Sequence, residues 1–260
     1  MSAFDSPLAL SVEDGVATLR LSRPDAGNAI NLEMAEALAG ISVEVAARDD
    51  IRCVLLTGSG RFFCVGGDIG AFRAAGDAVP QLLEKITASL HDAIAHFARM
   101  PKPLVVAVNG AAAGAGLSLA ALGDIVISAR SASFTMAYTG IGLTPDGGAT
   151  AILPRLIGLR RTQELAYTNR RLGADEAAAI GLVTEVVDDI ELEEKAAAMA
   201  QRLRNGPVSA FANIRSLLMS GLPLEEQMDL EGRTICNAAG SPEGREGISA
   251  FLDKRRPVFS

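Results

Sequence analysis

Positive charge is in short supply in this 260-residue chain: 24 Lys and Arg stand against 31 Asp and Glu, a net charge of −7. That balance argues against a surface built for nucleic acid or an anionic membrane. Cysteine is scarce as well. Cys53, Cys64 and Cys236 are scattered and odd in number, so they form neither a metal-ligand spacing nor a disulfide framework, which fits a reducing cytoplasm. The opening MSAFDSPLAL lacks the basic region and long apolar run of a secretion signal.

What the chain does have is apolar residues, 49% against 21% charged, enough for a sizeable core in one large domain or a domain with an appendage. Pro103 to Gly123 runs 21 residues without a charge, the length of a membrane span. It also holds Asn109, Ser118 and four glycines. It reads better as a strand (Leu104–Val108), a glycine-rich loop and a packed helix from about Gly116.

The order of signals is that of an α/β fold. LALSVE and VATLRL alternate around Asp14-Gly15, a hairpin signal. Asn31 opens a helix to about Arg48. CVLLTG is a buried-type strand, a helical stretch covers Gly70 to Met100, and VVAVNG and DIVISA give two further strands. Beyond Arg170 the signals turn helical and amphipathic, through ELEEKAAAMAQRL, VSAFANIRSLLMS, LEEQMDLEGRTICNAA and PEGREGISAFLDKR.

Two loops place small residues between a strand and a helix: GRFFCVGGDIGAF, Gly60 to Phe72, and NGAAAGAGLSLA, Asn109 to Ala120. Neither has the lysine and hydroxyl of a Walker-type loop or the pattern of a dinucleotide fingerprint, so a nucleotide-phosphate cradle is not expected. Two facing backbone N–H groups could instead hold one carbonyl oxygen and the charge that develops on it. Tight helix packing explains either loop alone equally well. A third segment, GLTPDGGAT, sets the acid Asp146 in an apolar turn that reads as buried. Such an Asp can brace its turn or cap the next helix.

GRFFCVGGDI, KPLVVAVNGAAAGAGLSLA, GDIVISARSASF and GLTPDGGAT, in this order and spacing, resemble the enoyl-CoA hydratase/isomerase (crotonase) superfamily. The likeness continues through RRLGADEAAAIGLVTEVVDD to EGREGISAFLDKRRPVF. It implies a spiral of repeated ββα units over residues 1–195. A helical region over 196–260 would build trimers, often paired into hexamers. It implies acyl-CoA thioester substrates with no separate cofactor, because coenzyme A is part of the substrate. The implied oxyanion donors are the N–H groups of Gly67 and Ala115, the latter between Gly114 and Gly116 at a position where the family usually has glycine. The implied coenzyme A contacts are Ala26, Gly27 and Ala29, then Val65, Gly66, Asp68 and Ile69, with Phe251 and Lys254 reaching the nucleotide end, in some members from a neighbouring subunit.

Hydratases of this superfamily use two glutamates, whose positions here hold Ser118 and Tyr138. A serine hydroxyl and a phenol of pKa ~10 stay protonated near neutrality, so neither replaces a carboxylate base easily. Asp146 matches the working aspartate of other members: dienoyl-CoA isomerases, aryl-CoA dehalogenases and the ring isomerase of phenylacetate degradation, the last being most similar. The expectation is an isomerase in which Asp146 carries the proton. A hydratase with atypical residues, or a non-catalytic acyl-CoA-binding paralogue, stays open. His91 and His96 lie on an amphipathic helix and read as structural or exposed. The dehalogenases pair their histidine with a tryptophan, which this chain lacks.

Overall fold

A computed structural model describes residues 6–259. The hairpin forms as its turn residues dictate: β1 (Leu8–Glu13) and β2 (Val16–Leu21) pair antiparallel across Asp14 and Gly15, both at positive φ. Asn31 then caps α1 (Leu32–Ala47), its side chain accepting from the Met34 N–H at 2.9 Å.

The centre of the fold is a repeat. Strands β3 (Cys53–Gly58), β5 (Leu104–Val108) and β7 (Ile125–Ala129) lie parallel in a six-stranded sheet of order β1-β2-β3-β5-β7-β10, closed by β10 (Glu185–Val187). Each is followed within a few residues by a short strand of a second sheet: β4 (Phe62–Cys64), β6 (Ala111–Ala113) and β8 (Ser133–Thr135), with β9 (Leu172–Gly173) at its edge. A helix follows each pair: α2 (Ile69–Ala75) and α3 (Val79–Arg99) after β4, α4 (Ala115–Ala120) after β6, and α5 (Ala149–Ile157) after β8. The chain thus winds as ββα turns, as expected. β3 and β5 are buried along their whole length, whereas edge strand β1 alternates, the difference between a covered parallel strand and a half-solvated antiparallel one.

The uncharged run from Pro103 resolves into β5, β6 and α4, and among the described residues no helix is long and apolar enough to cross a membrane. The stretch read as a loop, Ala111–Ala113, is a strand paired on both sides. Three alanines carry no strand propensity of their own; the neighbours impose the conformation.

Helices α6 (Leu159–Thr168) and α7 (Ala174–Ala179) lead to α8 (Leu192–Arg204), which lies against β2, β3, β5 and β7 with Ala196 and Ala200 fully covered. The change to a lightly packed region comes after Arg204. Helices α9 (Val208–Met219), α10 (Leu224–Gly240) and α11 (Pro242–Leu252) bury only Val208 and Ala250 between them. Their main tether is Arg215, 12% exposed, which pairs with Asp124 and donates to the carbonyls of Phe97, Met100 and Lys102. Leu218, Leu224, Ile235 and Phe251 are each at least two-thirds exposed on this region.

Candidate active site

The two glycine loops meet edge to edge. After the 3-10 turn Pro24–Ala26, Ile30 forms a parallel bridge with Gly67: the Ile30 N–H goes to the Gly66 carbonyl at 2.8 Å and the Asp68 N–H to the Ile30 carbonyl at 3.0 Å. In a parallel bridge the flanked residue turns its own N–H to the other side, and among the described residues Gly67 donates to no backbone carbonyl. Ala115 is the first residue of α4, so its N–H has no partner within the helix and takes none outside it. A Cβ built on Gly114 would lie 3.7 Å from the Gly66 Cα, so the two loops are in contact.

Gly116 holds them there. A Cβ at this position would sit 2.1 Å from the Cys64 carbonyl oxygen, so only glycine lets α4 seat against β4. Close packing alone therefore demands glycine here. Asp68 braces the first loop: it caps α2 by accepting from the Ala71 N–H at 3.0 Å and pairs with Arg23 at 2.9 Å. Partial burial pulls its pKa upward, but the Ala71 N–H and the Arg23 guanidinium outweigh that and hold it below the usual range. Gly27 and Ala29 have carbonyls engaged by Val65 N–H and by Arg23, and Ala26 is exposed beside them.

Asp146 arrives from the third turn of the spiral. Gly147 and Gly148 both take left-handed φ, 61° and 76°, which reverses the chain into α5 and leaves the carboxylate over α4. The carboxylate does not brace its own turn or cap α5. Its Oδ1 accepts from the Tyr138 hydroxyl at 2.6 Å, and the backbone N–H of Gly147 goes instead to Nε2 of His91 at 3.2 Å. His91 Nε2 stands 3.6 Å from Asp146 Oδ2. That histidine is exposed, as expected, but stands beside the Asp146 carboxylate; His96 lies against Ser42 Oγ at 3.2 Å. Ser118, fully buried, donates to the Asp146 carbonyl at 3.1 Å and lies 3.5 Å from the Tyr138 hydroxyl. Burial, then the charge and hydrogen bond of Asp146, push the Tyr138 phenol well above its ordinary pKa, so it keeps its proton. The apolar turn itself is more open than its sequence implies: Ile141 is 57% exposed at the rim.

Asp146, Tyr138 and the two donor loops line one cavity of about 360 Å³. Of the expected residues, Val65, Gly66, Gly67, Ile69, Gly114, Ala115, Tyr138 and Asp146 line it. Ser118 sits behind Tyr138, and Phe251 and Lys254 do not reach it within one chain. The far wall is one face of α3, Leu83, Ile86, Thr87 and Leu90, with Phe72 of α2 under Gly67. Their helical spacing is in the sequence, but an amphipathic helix looks the same whether its face meets core or substrate. Asp146 is the only carboxylate among the lining residues. Burial pushes the Cys64 thiol to about 12, so it offers no thiolate nucleophile near neutrality. Among the described residues no group of three or more His, Cys, Asp or Glu is placed to hold a metal ion.

An apolar cleft with two free N–H donors and one carboxylate, carried on a ββα spiral, is a site for polarising a carbonyl and moving a proton beside it. The sequence matches the enoyl-CoA hydratase/isomerase family over residues 11–260, and the chain belongs to that family as one of its enzymes. Over 253 residues it is 42% identical to the 1,2-epoxyphenylacetyl-CoA isomerase of Escherichia coli K12, covering 96% of each chain. Over 251 residues it is 41% identical to a Rhodobacter capsulatus protein named a probable enoyl-CoA hydratase, again covering 96% of each. The crystal structure of an enoyl-CoA hydratase from Polaromonas sp. JS666 superposes with a TM-score of 0.92 at 33% identity, covering 97% of this chain and 99% of that one.

Proposed function

We propose that this enzyme isomerises acyl-CoA thioesters, moving a double bond or rearranging a ring through an enolate. The observation that carries the reading is the identity of the groups around the cavity: two free backbone donors and a single carboxylate, Asp146. The thioester oxygen accepts from Gly67 and Ala115. Asp146 takes a proton from the α- or γ-carbon, the C–H pair moves onto the thioester oxygen, and the same carboxyl returns the proton at the other end of the conjugated system. Addition of water needs both a base for the water and an acid for carbon. With the Ser118 hydroxyl donating to the Asp146 carbonyl and the Tyr138 hydroxyl to its Oδ1, one mobile proton is available rather than two. Coenzyme A comes with the substrate and contacts the strip of Ala26, Gly27 and Ala29 with Val65, Asp68 and Ile69. Phe251 and Lys254 serve the nucleotide end from a neighbouring chain of a trimer or dimer of trimers.

The test is Asp146→Asn assayed with a Δ3-enoyl-CoA, following the absorbance of the conjugated thioester. Loss of about 10²–10⁴ in rate with thioester binding retained is expected; unchanged turnover removes Asp146 from the mechanism. The relative named a probable hydratase favours a second reading, and turnover of crotonyl-CoA by the unmodified enzyme would establish it. Binding without turnover of any ester would instead make the protein an acyl-CoA-binding member.

A further inference from the structure

The two oxygens of Asp146 are not equivalent. We propose that Tyr138 is a positioning residue that occupies Oδ1 and leaves Oδ2 as the sole proton-carrying oxygen. This deepens the isomerase reading and rests on it.

The Tyr138–Oδ1 separation of 2.6 Å is that of an O–H···O⁻ bond to a charged acceptor. The phenol is the donor because it stays protonated beside the carboxylate. On the other side His91 Nε2 accepts from the Gly147 N–H at 3.2 Å. With that lone pair taken up by the Gly147 N–H, Nε2 does not donate to Oδ2, which stands 3.6 Å away. The titratable groups facing the carboxylate are thus Tyr138, which opens the 3-10 turn Tyr138–Ile141, and His91 from α3. Among the described residues no Lys or Arg is ion-paired with it. Oδ1 is committed and Oδ2 is free.

The Ser118 hold on the Asp146 backbone ties this choice to the oxyanion donors. Ser118 and Ala115 are three residues apart on α4, one turn of the same helix. Ala115 presents an N–H to the thioester, while Ser118 holds the Asp146 carbonyl at 3.1 Å and approaches the Tyr138 hydroxyl. One short rigid element therefore sets both the place where the enolate oxygen sits and the height of the base above the carbon skeleton. The proton balance is simple: a substrate C–H breaks and Oδ2–H forms; then Oδ2–H breaks and a C–H forms on the same face of the substrate. Because a single oxygen collects and delivers, the transfer is suprafacial and short in reach.

Tyr138→Phe removes the donor and keeps the ring. Two changes are expected together. The rate constant kcat falls about 10-fold or more while KM for the enoyl-CoA moves little. The acid limb of the kcat/KM profile moves to higher pH, because a carboxylate that loses a hydrogen bond to its charged form becomes easier to protonate. The same upward movement is expected in a His91→Asn background, where no imidazole stands beside Oδ2. A fluorinated tyrosine at position 138, a stronger donor of the same shape, should move the limb the other way. A folded Tyr138→Phe enzyme with an unmoved limb and an unchanged kcat overturns the proposal even if Asp146→Asn is inactive. If Asp146→Asn is itself active, the isomerase reading fails first, so the two failures are distinguishable.

Discussion

Substituting Gly116 by alanine tests the link between packing and chemistry. Its added Cβ would lie 2.1 Å from the Cys64 carbonyl oxygen, 2.8 Å from the Cys64 carbonyl carbon and 2.8 Å from its Cβ. Ordinary contact begins at 3.4 Å, so α4 must retreat by about 1.3 Å, and none of these three atoms ends a flexible side chain. Overpacking of this kind costs about 1–3 kcal/mol. The Ala115 N–H retreats with the helix. A shift near 1 Å is worth about 10² in rate, close to the ~10²–10³ for losing an oxyanion donor outright. Gly116→Ala should therefore melt several degrees lower and lose about two orders of magnitude in kcat on a Δ3-enoyl-CoA. Calorimetric binding of a saturated acyl-CoA, which develops no enolate charge, should weaken far less. Gly232→Ala is the matched control: nothing lies within 4 Å of its new methyl, in the interior of α10. It should keep full activity and gain up to about 1 kcal/mol. A Gly116→Ala enzyme with normal melting and normal turnover would refute the argument that this approach holds Ala115 in place.

Asp68→Asn keeps the cap of α2 and removes the charge facing Arg23. Because the folded carboxyl is held below its usual pKa, its contribution is present above the unfolded value of ~3.9 and vanishes as pH falls through the folded one. The melting-temperature gap between parent and variant should be full at pH 7 and close below about pH 4; a constant gap would show that the charge contributes nothing. Arg215→Ala strips the donors from Asp124 and three carbonyls and should cost about 2–4 kcal/mol, seen in urea titration as an early loosening of α9–α11. Light scattering should give the mass of three or six chains, since the exposed Leu218, Leu224, Ile235 and Phe251 need covering; a monomer at micromolar concentration would contradict that.

Much of the fold was legible because long runs announced it. CVLLTG and LVVAV are strands at the residues expected, and Asn31 caps its helix. The three-residue strands of the second sheet were not legible, because FFC, AAA and SFT are too short for periodicity to register and are extended only through their partners. In the site, Asp146 and the glycine loops stood out by residue type. His91 did not, because its meeting with Asp146 depends on how α3 crosses the turn at Gly147, fifty-six positions away. Gly116 was recognisable as a glycine that mattered, but a binding role and a packing role leave the same letter in the sequence.

The successive turns of the spiral divide the work. Gly67 comes from the first ββα unit, Ala115 from the second and Asp146 from the third. In the proposed mechanism, grip on the thioester and direction of the proton therefore come from separate stretches of chain. A lineage can rewrite the third stretch, changing which carbon receives a hydrogen, as long as the Ser118 hold on the Asp146 carbonyl is kept. Gene libraries that vary residues 137–147 alone while leaving 60–72 and 109–120 untouched are the natural place to search this scaffold for new reactions.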